Sequence, residues 1–338
     1  MKAAVITGIG QVEVLDVADP VAGAGEVVVR IGAAGLCTWE QRAYTGQQPV
    51  AYPLLGGHEN AGEVVEVGPG VRHVSPGDRV TLGPAACGVC DACLRGEDKG
   101  CPEHFATFSL KGGDIGPGGF AEYKVHRADG VFPVGDAPWP VACLAEPLSC
   151  AVHAARLCGA ALGDDAVVFG AGAMGLMNLL VLAASGMSVI VVEPDEQRRR
   201  TAVALGARLA LPAHEAVAEE VRDLTGGGVS IAVAAVGSDA VNHAAHESLR
   251  PRGRLCLFAS SHPMTPFAVD PNRVHNRETQ IIGAVSAERR DHWCATRLIA
   301  ANRIDLTPLV TEVVPLLEAP AAFERARAGT SYRVVLAP

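Results

Sequence analysis

Four cysteines, Cys87, Cys90, Cys93 and Cys101, follow one another with the spacing C-x2-C-x2-C-x7-C. Four thiolates on one short segment can close a tetrahedral shell around Zn²⁺ and leave no position open. A closed shell staples a fold but performs no catalysis. The pattern therefore predicts a structural metal lobe over about residues 84–102 and directs the search for chemistry elsewhere. A disulfide knot is the alternative. The other six cysteines, at positions 37, 143, 150, 158, 256 and 294, have no pairing pattern. Met1 to Gly8 reads as a strand running into a turn, without the apolar core and cleavage site of an export signal. Reduced thiols and a cytoplasmic location are the expectation.

A second constellation is Gly170, Gly172 and Gly175 in Val167-Val-Phe-Gly-Ala-Gly-Ala-Met-Gly175. The spacing is G-x-G-x-x-G, between an apolar strand and a helical pattern. Gly170 permits the tight turn, Gly172 lets a pyrophosphate approach the backbone, and Gly175 lets helix and strand pack closely. The helix N-terminus adds N–H groups and a positive dipole for phosphates. Chance is the competing explanation in a glycine-rich chain, but an acid stands where a dinucleotide site needs one. Glu193 lies 21 residues after Gly172, at the end of the next strand, where it can accept from both adenosine ribose hydroxyls. Its charge would repel a 2′-phosphate, so NAD is expected over NADP. Arg198, Arg199 and Arg200 temper this, since arginines can hold that phosphate; otherwise they form a solvated helix face.

A third set is looser. Cys37, His58 and Glu146 together would make a three-ligand shell with one position open, as a catalytic zinc requires. From spacing alone, a lone histidine beside a glycine turn, as His58 is, is more often structural, and Cys37 could be an ordinary buried thiol.

The elements that must position these residues fall into two textures. About the first 150 residues carry short Val-rich strands, such as Glu26–Ile31, Gly62–Val67 and Asp78–Leu82, separated by Gly and Pro turns. That predicts a small β-rich domain. Beyond Leu148, apolar strands alternate with helices, at Ala166–Phe169, Val189–Val192, Ile231–Val236, Arg254–Phe258 and Gln280–Ile282. That predicts a doubly wound parallel sheet. The expected class is α/β, with a β-rich domain over 1–150, a Rossmann domain over 151–285 and a return to the first domain over 286–338. The length of 338 residues suits two domains. With 49% hydrophobic and 19% charged residues, a large core is available. A net charge of −9 argues against a nucleic-acid partner, and no apolar run is long enough to span a membrane.

At the level of motifs the chain resembles the zinc-containing medium-chain dehydrogenase/reductase family, especially its sorbitol (polyol) and threonine dehydrogenase branches. Gly57-His-Glu-Asn-Ala-Gly-Glu-Val-Val-Glu-Val-Gly-Pro-Gly-Val71 fits the family's G-H-E-x2-G-x5-G-x2-V pattern. The cysteine run matches its structural-zinc lobe, Gly118–Tyr123 its G-G-F-A-E-Y segment, and Glu146–Ala154 the polyol branch's E-P-L-S-x3-H-A. The resemblance implies a GroES-like catalytic domain built from both chain ends, with the nucleotide domain inserted. It implies two zinc ions per chain. One sits on the four cysteines. The other sits on Cys37, His58 and an acid, Glu146 or Glu59, which can exchange roles. Glu40 would accept the second ring N–H of His58 and orient it. Arg333 falls where the family places a pyrophosphate-binding arginine, Arg198 where it places a cation near the adenosine ribose, and Met174 behind the nicotinamide. Trp39 and Phe120 would line the substrate pocket.

The chemistry implied is zinc-assisted ionisation of an alcohol with hydride transfer to NAD⁺. A homodimer or homotetramer is implied as well. Trp39 departs from the pattern, because relatives commonly carry Ser or Thr there to pass the alcohol proton onward. Thr38 holds the hydroxyl one residue early. Trp39 either reshapes the pocket toward a ring-shaped or apolar substrate or simply packs. Alternatives within the fold are a reductase of a natural-product carbonyl and a catalytically retired nucleotide-binding protein. His153 could line the nicotinamide pocket or pack. Trp139 and Trp293 read as packing residues, and His243, His246, His262 and His275 as surface or loop residues.

Overall fold

The structure, a computed structural model, describes residues 1–104, 116–262 and 264–338. The chain divides into two compact units. One joins Met1–Ser149 to Ala287–Pro338, and the other is Cys150–Ser286.

In the first unit, strands β1 (Lys2–Gly8) and β2 (Gln11–Asp16) form an antiparallel hairpin. A larger sheet is built around the long β3 (Glu26–Gly35). One side of β3 pairs antiparallel with β4 (Glu59–Val67), which continues to β5 (Arg79–Leu82) and β7 (Val131–Pro133). Strand β6 (Tyr123–Arg127) also pairs with β3. From the far end of the chain come β14 (Val310–Pro315) and β15 (Arg333–Ala337), parallel to each other, with β15 antiparallel to β3. The C-terminal strands are therefore sheet partners of the N-terminal ones. Alternation along β3 and β4 sends Val27, Val29, Ile31 and Val64 into a core shared with Phe120, Phe323 and Leu336. Burial of this kind is worth about 1.5–3 kcal/mol per large apolar side chain.

The second unit carries a parallel sheet in the order β10 (Leu209–Leu211), β9 (Ser188–Val192), β8 (Asp165–Phe169), β11 (Val229–Ala234), β12 (Leu249–Leu257), β13 (Gln280–Gly283). Its central strands are buried along nearly their whole length, as helices on both faces require. Order reverses beside β8, which is where such sheets open a ligand crevice.

Two expectations change. Trp139 packs as expected, covering the backbone at Gly32 and stacking under the Arg79 guanidinium at 3.4 Å. Trp293 instead is 57% exposed on its helix, Arg289–Ala300. His246 is a buried helix residue rather than a surface one, with Nε2 3.4 Å from Thr279 Oγ1. Among the described residues, no helix is long and apolar enough to cross a membrane.

Candidate active site and metal centres

Strand pairing assembles the centre. Gly35, the last residue of β3, pairs with Glu59, the first residue of β4. Cys37 therefore leaves one strand where His58 enters the next. On the other flank Gly35 pairs with Val335, and Leu36 N–H donates to Val334 O at 2.9 Å, which brings Arg333 alongside. Gly35 is required by close approach, because a Cβ there would come within 2.2 Å of Glu59 Oε2.

Sγ of Cys37, a ring nitrogen of His58 and a carboxylate oxygen of Glu59 lie within 4.8 Å of one another. Glu40, in the first turn of the helix Thr38–Tyr44, is wholly buried. Its Oε1 accepts the Gly57 N–H at 3.0 Å and lies 2.8 Å from His58 Nδ1. A carboxylate only accepts, so Nδ1 carries a proton, and in the neutral ring Nε2 is the nitrogen with the lone pair. Gly57 reaches its place with φ of 91°, a conformation costly for any other residue. Arg333, 4% exposed, stands 2.6 Å from Glu59 Oε1 as an ion pair. Neither Glu59 oxygen receives a hydrogen bond among the described residues, although both are buried.

The electrostatics suit a bound cation. Burial works against the His58 imidazolium, but Glu40 and Cys37 outweigh it and hold His58 well above its ordinary value. Burial, with Glu59 adding, pushes the Cys37 thiol up. Burial likewise pushes Glu146 up to about 7, with His58 and Arg333 opposing and Glu59 and Glu40 adding. Thiolate, imidazole and a buried carboxylate are the donor set of an open zinc site. Of the two competing acids, Glu59 belongs to the cluster. Glu146, in the first turn of the helix Ala145–Leu157, is not part of it.

The four cysteines gather within 4.8 Å of one another and are unpaired by disulfides. Sulfur separations of 3.9 Å for Cys87–Cys93 and 3.5 Å for Cys90–Cys93 match the edge of about 3.8 Å set by sulfurs ~2.3 Å from a central zinc. Backbone N–H groups of Cys87 and Glu103 point at Cys101 Sγ at 3.3 and 3.4 Å. Those of Val89 and Cys90 bring Cys87 down to about 7.

In the second unit, Gly170 turns out of β8 with φ of 101°. A Cβ on Gly175 would lie 1.9 Å from the Gly170 carbonyl oxygen, whereas one on Gly172 would meet nothing within 4 Å. Gly175 thus serves helix–strand packing, and Gly172 leaves open space at the N-cap of the helix Ala173–Ala184. Met174 lies in that helix's first turn. Glu193 accepts the Ala171 N–H at 2.7 Å and the Asp195 N–H at 3.0 Å, so the acid also braces the glycine loop. Arg198 opens the following helix, where its N–H donates to Asp195. Arg199 is tied to the Glu193 and Pro194 carbonyls, and Arg200 to Glu196.

Other expected site residues land differently. Phe120 is a core ring, 0% exposed, packed edge-on against Phe323 at 5.9 Å, and so does not line a substrate pocket. Trp39 is half-buried, with its indole edge-on to the His58 ring at 6.1 Å and 80°. Thr38 is exposed. His153 is buried, with Nδ1 2.9 Å from Arg156. Arg333, expected at a pyrophosphate, pairs with Glu59 through Nη2, a contact that follows from the long-range pairing of β15 with β3.

The sequence model of the alcohol dehydrogenase GroES-like domain matches residues 23–136, and that of the zinc-binding dehydrogenase matches residues 173–301. An alcohol dehydrogenase of Geobacillus stearothermophilus is 33% identical, with 99% of each chain covered. An L-threonine 3-dehydrogenase of Pyrococcus furiosus is 33% identical over 96% of this chain and 94% of its own. A zinc-binding dehydrogenase of Sinorhizobium meliloti 1021, solved bound to NADP, is 25% identical and superposes with a TM-score of 0.88 over 100% of this chain and 99% of its own. The chain belongs to the zinc-containing medium-chain dehydrogenase/reductase family. This is an oxidoreductase family of alcohol dehydrogenase type that uses a nicotinamide nucleotide.

Proposed function

We propose that the protein is a zinc-dependent dehydrogenase moving a hydride between a secondary alcohol and NAD(H), the alcohol being polyol-, cyclitol- or amino-alcohol-like. The observation that carries this is the cluster of Cys37, His58 and Glu59. It holds three donors of the right chemistry, with no fourth His, Cys, Asp or Glu joining them among the described residues. When bound, zinc supplies Lewis acidity that promotes ionisation of the substrate hydroxyl. Glu40 fixes the His58 tautomer, an outer contact of the kind that tunes a metal ligand. Arg333 balances Glu59. Glu146 is poised near neutrality, so it can hold or release a proton at its carboxylate where Trp39 offers no hydroxyl relay. The four cysteines hold the second zinc.

The NAD preference rests on the Glu193 carboxylate and on the engagement of Arg199 and Arg200 elsewhere. The indole beside His58 supports a flat or ring-shaped substrate over an extended one. A homodimer or homotetramer in the cytoplasm completes the proposal, and sedimentation would check the assembly. The test is NAD⁺ and NADP⁺ reduction across linear polyols, cyclitols and amino alcohols, with carbonyl reduction run in parallel. Preference for cyclitols or amino alcohols with NAD⁺ supports the reading. Fast turnover of sorbitol removes the role given to Trp39. Activity only as a carbonyl reductase, or none at all, favours the reductase or the retired protein.

A further inference from the structure

The cysteine lobe places its four ligands unequally. Cys87, Cys90 and Cys93 follow one another at three-residue steps on one turn. That turn closes on itself: the Cys90 N–H donates to Cys87 Sγ at 3.3 Å, and Cys93 Sγ lies 3.9 and 3.5 Å from the sulfurs of Cys87 and Cys90. Cys101 comes only after seven further residues, a longer loop whose closure costs chain entropy. Three backbone contacts hold it. The N–H groups of Cys87 and Glu103 donate to its sulfur at 3.3 and 3.4 Å, and its own N–H donates to Asp98 O at 2.9 Å.

All three contacts are tied to one carboxylate outside the lobe, Asp129, in the turn Ala128–Gly130 between β6 and β7. Asp129 Oδ2 accepts the N–H of Ala86, the residue before Cys87, at 2.8 Å. Arg127 Nε donates to Asp129 Oδ1 at 3.0 Å, and the same guanidinium reaches Ala86 O at 3.3 Å and pairs with Glu103. Arg289, the first residue of the helix Arg289–Ala300, donates to Asp129 Oδ2 at 3.3 Å and to Asp98 Oδ2 at 3.2 Å. Asp129 is thus shared by two guanidinium groups, each of which also grips the lobe. Burial works against its carboxylate, but Arg127, the Ala86 N–H and Arg289 outweigh it and hold Asp129 below its ordinary value. A connected network of this kind carries more than isolated surface pairs do.

We infer that Asp129 is a positioning residue for the four-cysteine zinc: through Ala86, Arg127 and Arg289 it seats Cys101, the ligand that the turn does not place by itself. This rests on the reading that the four cysteines hold zinc.

The test is zinc affinity by competition with a chromogenic chelator, on full-length protein carrying Cys37→Ser, which removes a ligand of the other zinc. Into this background go Asp129→Ala, Asp129→Asn, Cys101→Ser and the pair Cys101→Ser/Asp129→Ala. Asp129→Ala should weaken zinc by about 10–100-fold, the usual cost of losing an outer-shell partner. Asp129→Asn keeps an acceptor for the Ala86 N–H but not the charge, and should fall between. Cobalt in place of zinc gives a second readout. Its sulfur-to-metal charge-transfer absorption should drop in Asp129→Ala toward that of Cys101→Ser, a change that general loss of stability does not produce. Without Cys101 there is nothing to seat, so there Asp129→Ala should change affinity by no more than about twofold. Unchanged affinity in Asp129→Ala, or an equal loss with and without Cys101, would overturn the inference. If Asp129→Ala does not fold, Asp129→Asn is read against the same two criteria. Cys37→Ser protein that holds no zinc would overturn the four-cysteine reading itself, and this inference with it.

Discussion

Arg333 Nη2 stands 2.6 Å from Glu59 Oε1, an ion pair closed between two ends of the chain, and yet neither oxygen of Glu59 receives a hydrogen bond among the described residues. The pair is buried at both partners, at 4% and 0% side-chain exposure. Glu59 also touches the cluster with Cys37 and His58, so a cation on its other side would share the same carboxylate.

Arg333→Met should therefore depend on the metal. In chelated protein the substitution leaves a buried carboxylate unpaired and should cost about 3–5 kcal/mol. In zinc-loaded protein the dication balances Glu59, and the loss should be smaller. Urea midpoints for the first unfolding transition, with and without chelator, measure this. Equal losses in both forms would mean that Glu59 does not face the metal.

The glycine loop and the cysteine run were legible in the sequence because each is local. Gly170, Gly172 and Gly175 sit on one turn, and Cys87 to Cys101 on one lobe. The contacts of Gly35 and Arg333 with Glu59 were not legible in the same sense. They arise from β4 and β15 both pairing with β3, contacts between distant segments that leave no local pattern. Phe120 departs from what the resemblance implies for a related reason: Gly56 and Gly57, from a distant segment, pack against its ring. The placing of Glu59 beside Cys37 and His58 needed the strand register that ties Glu59 to Gly35.

Cofactor choice is testable at Glu193. Glu193→Gln keeps an acceptor for the loop N–H groups but removes the charge that would repel a 2′-phosphate. The ratio of kcat/KM for NADP⁺ over NAD⁺ should rise about tenfold, equivalent to ~1.4 kcal/mol. An unchanged ratio would place cofactor discrimination elsewhere.

Two buried histidines should make the first unit acid-labile. His292 Nε2 lies 3.0 Å from Thr81 Oγ1, and His126 Nε2 lies 3.0 Å from Gly83 O. Burial pushes each down to about 3, below the ordinary value near 6.5. The unfolded chain therefore binds more protons than the folded one between about pH 3 and 6.5. Each histidine's contribution is complete above about pH 6.5 and lost as pH falls, by up to ~1.4 kcal/mol per pH unit. His292→Asn should flatten the fall in urea midpoint between pH 7 and 4.5. A slope identical to wild type would show that His292 does not carry this linkage.

A second, open zinc site on Cys37, His58 and Glu59 is tested most directly by zinc content measured alongside NAD⁺-linked alcohol oxidation while a chelator removes metal stepwise. The protein should hold two zinc per chain, activity should fall in proportion to loss of the first ion, and it should recover on adding zinc back. Full activity in protein that retains only the four-cysteine zinc would contradict it.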